Sequence, residues 1–230
     1  MILAVDSSAV AASAALVKDG KTLGEFYCNN GLTHSQTLMP MIDGLLKCTR
    51  VPVKKVDLLA VSAGPGSFTG IRIGVASVKG LAMPGNKPCV GVSTLEAIAQ
   101  NLSHLTGTAC AVMDARCGQV YNAVFSLNGK SVERLTPDRA ISIENLAEEC
   151  KKYANPLFLV GDGAKLCYNK TGFEALGTLL PPEILLFQRA WGVARAAEAA
   201  YRRGEAVSPA ALMPIYLRPA QAERSLKRKQ

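Results

Sequence analysis

Apolar positions in the first hundred residues follow two different spacings. Short apolar runs bounded by polar and turn residues are typical of buried strands, and they occur at 2–5, 11–17, 22–28, 57–62 and 89–92. Apolar residues spaced three and four apart predict helices that begin at Thr33, at Ser67 or Thr69, and near Ser93. Thr33 and Gln36 form a capping-box pattern, and Pro40 is expected to kink the helix that follows.

The second half of the chain repeats this order. The same patterns predict three strands, a helix, a strand and a closing amphipathic helix, at 109–113, 120–127, 131–135, 143–153, 157–160 and 187–203. The first strand of each copy ends in an aspartate, Asp6 or Asp114. The fourth strand ends in Gly64-Pro65-Gly66 in one copy and in Gly161-Asp162-Gly163 in the other. Two such copies are typical of the actin, sugar kinase and Hsp70 superfamily (the ASKHA, RNase H-like folds).

We therefore predict an α/β fold of two tandem ASKHA-like half-domains, each with a mixed sheet flanked by helices. The N-terminal half spans 1–104, the C-terminal half spans 105–217, and 218–230 is a basic tail. The tail has five basic residues and one acidic residue, and so holds half of the net charge of +8. Tails of this kind are usually solvated and flexible, and a weak, salt-sensitive contact with RNA is one role for it.

Composition indicates an ordinary globular protein. The hydrophobic fraction is 49% and the charged fraction is 19%. No apolar run approaches the length needed to span a membrane, and no signal peptide is evident. The seven cysteines are scattered and form no CxxC pair, so they are expected to be buried thiols in a reducing compartment. These features predict a cytoplasmic protein without a membrane contact, a disulfide or a zinc site.

The stretch 62–82 passes from a strand through a glycine turn into a helix that contains Gly70, Gly74 and Gly80. Each glycine costs about 1 kcal/mol relative to alanine inside a helix, so a compensating role is expected. Neither phosphate-binding signature fits, because GxxxxGK[ST] is absent and GxGxxG fails by one position. Gly70 and Gly74 share one side of the helix with Ser77 and Leu81. Small residues there would let another backbone approach closely, either within the fold or from a partner.

Six stretches along nearly the whole chain carry a resemblance to a known family. They are ILAVDSS, HSQTLMPMID, SAGPGSFTGIRIGVASVKGLA, GVSTLEAIA, DARCGQVY and PIYLRP, at 2–8, 34–43, 62–82, 91–99, 114–121 and 214–219. On these stretches the chain resembles the bacterial TsaB (YeaZ) family of tRNA threonylcarbamoyladenosine biosynthesis proteins. It departs from the family at Gln119, where glutamate is frequent, and the segment 165–186 matches nothing in it.

The resemblance implies a non-catalytic scaffold. Such a subunit forms a heterodimer with its larger sister TsaD, together with the ATPase TsaE. TsaD transfers threonylcarbamoyl to the adenosine next to the anticodon of ANN-decoding tRNAs, so tRNA would be met through the complex. The resemblance implies no cofactor in the isolated chain, with ATP or ADP bound only in the assembled complex. The same geometry would permit a homodimer of the isolated chain.

Candidate catalytic residues are scarce. The two histidines, His34 and His104, are too far apart in the sequence to form an HxxxH metal motif. TsaD holds its metal through two histidines four residues apart, and the matching positions of this chain are Thr94 and Ile98. We therefore assign no catalytic and no metal-binding residue.

Ser8 also argues against nucleotide binding. Nucleotide-binding members of the fold have a glycine two residues after the first aspartate, and Asp6 is instead expected to accept hydrogen bonds from nearby backbone amides. We therefore assign no cofactor-binding residue. A small-molecule kinase of the same superfamily is the alternative function. A glycoprotease-type peptidase is less favoured, because the chain has neither HExxH nor a histidine near a candidate nucleophile. Direct tRNA binding as the main role is a third hypothesis.

The helix that begins at Thr33 has more apolar residues than one core-facing stripe needs, and its methionines suit an adaptable contact. Either both sides of the helix are buried in the monomer, or one side meets a partner. From the resemblance we predict a partner interface formed by this helix and the glycine side of the next, through Leu38, Met39, Met41, Ile42, Leu45, Leu46, Gly70, Gly74, Ser77 and Leu81. Gly74→Leu should then leave the melting of the isolated chain near normal and disrupt the heteromer.

Overall fold

The computed structural model describes residues 1–170 and 172–218, and it places them in two sheets with helices on both faces of each. The strands are β1 Ile2–Asp6, β2 Ala12–Lys18, β3 Lys21–Cys28, β4 Leu58–Gly64, β5 Cys89–Ser93, β6 Thr106–Asp114, β7 Gln119–Asn128, β8 Val132–Arg134, β9 Arg139–Ser142 and β10 Leu157–Val160. The α-helices are α1 His34–Thr49, α2 Phe68–Ala82, α3 Thr94–Gln100, α4 Ile143–Cys150, α5 Ala164–Tyr168, α6 Glu183–Leu186 and α7 Ala190–Arg202.

The two sheets share one strand order, which confirms the predicted repeat. The first sheet runs β3-β2-β1-β4-β5, with β1, β4 and β5 parallel and the β1–β2–β3 meander antiparallel. The second runs β10-β6-β7-β8, with β6 and β10 parallel, and β9 also pairs with β7. In place of a fifth strand, Leu179 exchanges hydrogen bonds of 2.9 and 2.8 Å with Leu159 and Leu157. Both halves are therefore mixed sheets of the ASKHA type.

The halves are joined by two helices that each cover the sheet of the other half. α1 and α2 pack on one face of the first sheet, and α7 covers its other face. α3 belongs in sequence to the first half but packs on β6 and β7, opposite α4 and α5. α3 and α7 are in contact, and a Cβ at Gly192 of α7 would collide with the carbonyl oxygen of Ala97. Only glycine permits this close approach.

The position of α7 corrects the prediction that this helix closes the second half. Its apolar face packs against the first sheet because the sheet presents buried alanines and valines there. The helix start is fixed by two side chains of that sheet, which the sequence did not single out. Ser13 Oγ accepts a hydrogen bond from the Ala190 amide at 2.8 Å, and Glu25 accepts one from the Trp191 amide at 3.0 Å. The proposed boundary at 104/105 remains a prediction.

Some predicted ends differ from the observed ones. Strand β9 was not predicted, and α4 ends at Cys150, three residues before the predicted end. Thr33 is the N-cap of α1, but its side chain makes no capping hydrogen bond, so the capping box is wrong. Ser67 does cap α2, because its hydroxyl accepts from the Gly70 amide at 3.3 Å. Within the described residues no helix is long and apolar enough to cross a bilayer.

Candidate functional site

A cleft of about 930 Å³ lies at the carboxyl ends of the central parallel strands, between the two halves. Both halves contribute to it through the residues that follow β1, β4, β6 and β10. In open α/β sheets, ligands bind at this edge, so the cleft is where chemistry would be expected. The polar groups at the cleft therefore bear directly on whether the chain could be an enzyme.

Two serines, Ser8 and Ser62, donate hydrogen bonds to the carboxylate of Asp6. Asp6 is completely buried, and its Oδ1 accepts hydrogen bonds from the Ser8 amide at 2.8 Å and the Ser8 hydroxyl at 2.7 Å. Its Oδ2 accepts from the hydroxyl of Ser62. Burial raises the pKa of Asp6, and the hydrogen bonds from Ser62 and Ser8 oppose that rise. The expected contact with a local backbone amide is confirmed.

The loops after β1 and β4 are joined to each other. The amide of Ser67 donates a hydrogen bond of 2.6 Å to the carbonyl oxygen of Ser8, and a Cβ at Gly66 would collide with that oxygen. A phosphate held between these loops would need the Ser67 amide for itself. The Ser67 amide is therefore not free to donate to a phosphate held between these loops.

The second half supplies two aspartates with different environments. Asp114 accepts from the Arg116 amide at 2.7 Å and lies 3.3 Å from its guanidinium. Asp162 accepts from the Gln188 side chain at 3.3 Å. Burial, the largest cause, and the nearby negative charge of Asp114 raise the pKa of Asp162 to about 6, against the opposing effect of the hydrogen bond from Gln188. Among the described residues no group of three His, Cys, Asp or Glu is arranged to hold a metal ion.

The raised pKa of Asp162 gives a prediction about stability. A folded-state pKa above the ordinary value means that the folded protein binds this proton more tightly than the unfolded chain does. The free energy of unfolding therefore falls as the pH rises from about 4 to about 6. Asp162→Asn should raise the melting temperature at about pH 8 and leave it nearly unchanged at about pH 4. Asp43→Asn, on the exposed face of α1, is the control, and an equal shift at both pH values would contradict the prediction.

The segment before the tail closes one side of the cleft, which the sequence did not predict. The Ile215 amide donates to the Ala63 carbonyl at 2.7 Å, and the Tyr216 ring stacks on Phe68 with centres 4.9 Å apart. Arg218 donates a hydrogen bond to the Ala115 carbonyl at 3.0 Å, so this first residue of the predicted tail is held by the fold. The segment thus contacts both halves. The rest of the predicted tail, 219–230, lies outside the described residues.

Half of the predicted interface residues lie inside the monomer, and for them the prediction is wrong. The apolar side of α1 packs on the first sheet, so its core-facing residues are completely or almost completely buried: Leu38, Ile42 and Leu45. Gly70 and Gly74 of α2 are also buried, because this side of the helix rests on the end of β1. The Ser7 hydroxyl donates to the Gly70 carbonyl at 2.8 Å. The glycines permit close packing within the fold.

The other predicted interface residues remain at the surface. Met39 is 43% exposed, and four neighbours are partly buried: Met41, Leu46, Ser77 and Leu81. Thr94 and Ile98, at the positions that match the TsaD metal ligands, are completely buried in α3. Neither histidine lines the cleft, and the His34 Nε2 donates to the Ala9 carbonyl at 2.6 Å. His34 therefore has a structural contact.

Comparisons with known proteins agree with this architecture. Residues 31–177 match the TsaD family model, described as tRNA N6-adenosine threonylcarbamoyltransferase. A tRNA threonylcarbamoyladenosine biosynthesis protein TsaB of Bacillus subtilis is 31% identical over 96% of each chain, and that of Escherichia coli is 31% identical over 94% of each. The structure of YeaZ from Pseudomonas aeruginosa is similar with a TM-score of 0.73 and 28% identity, and the match covers 94% of this chain and 99% of that one. By this identity along almost its whole length, the chain belongs to the TsaB (YeaZ) family.

Proposed function

We propose that this chain is a non-catalytic subunit of the assembly that forms threonylcarbamoyladenosine in tRNA. In this proposal it supports a TsaD-like catalytic sister, together with a TsaE-like ATPase, and acts in the cytoplasm. Nucleotide is taken up only by the assembled complex, and the isolated chain associates with itself when the sister is absent. The names of the TsaB relatives in Bacillus subtilis and Escherichia coli support the pathway.

The content of the cleft supports a non-catalytic role. Asp6 is enclosed by hydroxyl and amide donors, and the Ser67 amide is bonded to Ser8. Asp114 is paired with Arg116. Each of these polar groups is therefore already bonded to a neighbouring group of the same chain. The same contacts disfavour the alternative of a small-molecule kinase.

The observation that carries the proposal is an outward strip on α2 that fits a partner helix. Ser77 is partly buried, Ala76 is exposed, and a Cβ at Gly80 would have no atom within 4 Å. Small residues spaced in this way along one side of a helix let a second helix pack at short range. α1 contacts α2 and exposes Met39. We therefore place the proposed partner contact at Gly80 instead of at Gly70 and Gly74.

Gly80→Leu tests this placement. The side chain would project into open space, so the isolated chain should fold normally and melt at the same temperature or slightly higher, since leucine favours helices more than glycine does. Association with the TsaD-like sister on a sizing column should be lost, because leucine would hold the two helices apart. Product formation in the reconstituted reaction should fall with it.

The control adds the same side chain elsewhere. Lys130→Leu exposes one leucine on the β7–β8 hairpin, in the other half of the molecule, and should leave the association intact. If Gly80→Leu still forms a stable heteromer, the strip on α2 is not the interface.

A further inference from the structure

Three arginines and two aromatic rings lie together at the edge of the cleft, and we call this group the arginine rim: Phe68, Arg72, Arg116, Tyr216 and Arg218. The Arg72 guanidinium carbon lies 3.8 Å from the centre of the Phe68 ring, and its Nε donates to the Tyr216 hydroxyl at 2.8 Å. Within the described part of the chain, the two terminal nitrogens of Arg72 meet no acceptor. They remain able to donate to an incoming ligand.

The other two arginines, Arg116 and Arg218, lie at the same loop after β6. Arg218 Nη1 donates to the carbonyl oxygen of Ala115, the residue before Arg116. The Arg116 side chain is 76% exposed, and its ion pair is the 3.3 Å contact with Asp114. Exposed guanidinium groups with unused donors bind phosphate oxygens through paired hydrogen bonds.

The rim also contains an aromatic surface. Arg72 and Tyr216 both lie against the Phe68 ring, so the ring available for stacking is that of Tyr216, which is 41% exposed. Basic groups that follow a phosphate backbone, together with aromatic rings that stack on bases, are the two components of single-strand binding.

We propose that the arginine rim binds an RNA strand across the edge of the cleft. An acidic protein segment would use the guanidinium groups but would gain little from the stacked rings, so the rim favours nucleic acid. The inference deepens the proposed function, since tRNA is the substrate of that pathway. It is tested on this chain alone, so that the two proposals fail separately.

The test is binding of an unmodified, fluorescently labelled tRNA transcript by anisotropy, between about 0.05 and 0.2 M salt. Arg116→Gln removes one exposed guanidinium, and Arg202→Gln is its matched control. Arg202 lies on α7, is 75% exposed and is also ion-paired, at 2.7 Å to Glu198. Arg116→Gln should weaken binding severalfold and reduce the slope of log affinity against log salt by about 1. Arg202→Gln should change neither quantity.

Three outcomes would overturn the proposal. The first is that the full chain fails to bind the transcript at the lowest salt. The second is that Arg116→Gln binds the transcript as tightly as the unaltered chain. The third is that Arg202→Gln weakens binding as much as Arg116→Gln does. A competition arm separates RNA from acidic protein. If polyglutamate displaces the transcript as effectively as unlabelled tRNA does, the rim is a site for acidic segments instead. Weakened tRNA binding by Arg116→Gln, together with full modification activity when this chain is omitted, would count against the proposed function and not against the rim.

Discussion

Gly70→Ala is expected to lower the melting temperature of the isolated chain by several degrees. The new Cβ would collide with the backbone carbonyl oxygen of Ser7, which cannot move aside because the Ser7 hydroxyl is itself bonded to the Gly70 carbonyl. Overpacking of a close contact costs about 1–3 kcal/mol, and the helix propensity of alanine returns about 1 kcal/mol. Each net kcal/mol lowers the melting temperature of a chain of this size by roughly 2–4 °C.

The matched control is on the same helix. Gly80→Ala gains the same helix propensity and meets no atom within 4 Å, so it should raise the melting temperature slightly. Gly74→Leu should behave like Gly70→Ala, because a Cβ there lies 2.7 Å from the Ser7 hydroxyl and 3.1 Å from Val61. This reverses the expectation drawn from the sequence. Normal melting of Gly70→Ala would mean that α2 does not rest on the end of β1.

The repeat of the fold could be predicted because both halves carry it in local patterns. Short apolar runs and helical spacings indicate most strands and helices. The aspartates at 6 and 114, each at the end of a first strand, show which parts of the two copies correspond. The sheet that each helix covers could not be predicted. An amphipathic pattern shows that α7 buries one face, but nothing local distinguishes the first sheet from the second.

The side of α2 that faces outward was predicted wrongly for a related reason. Ile71, Val75 and Val78 form the apolar stripe of α2, and the neighbouring side, with Gly70 and Gly74, was predicted from the sequence to make a partner contact. The helix lies so close to the end of β1 that both sides are buried, and the surface strip lies beyond them, around Ala76 and Gly80. How deeply a helix sits depends on its neighbours, and the helical period does not contain that information.

The cleft was only partly predictable. Asp6 and Ser8 were identified from the motif, and the structure confirms their hydrogen bond. The stacking of Phe68 on Tyr216 joins residues far apart in the chain, and burial in the folded protein raises the pKa of Asp162. The stacking depends on how the C-terminal segment returns to the first half. The family motif around 214–219 was the one available signal for that return.

The central claim is that the modification reaction needs this chain but uses none of its residues as catalysts. The direct test is threonylcarbamoyladenosine formation in tRNA, with the TsaD-like sister, the TsaE-like ATPase and the enzyme that makes threonylcarbamoyl-adenylate, measured by nucleoside analysis. We predict no product when this chain is omitted, and full product with Asp162→Asn, which removes the cleft carboxyl group whose pKa is raised to about 6. Product without the chain, or loss of product with Asp162→Asn in a heteromer that still assembles, would contradict the claim.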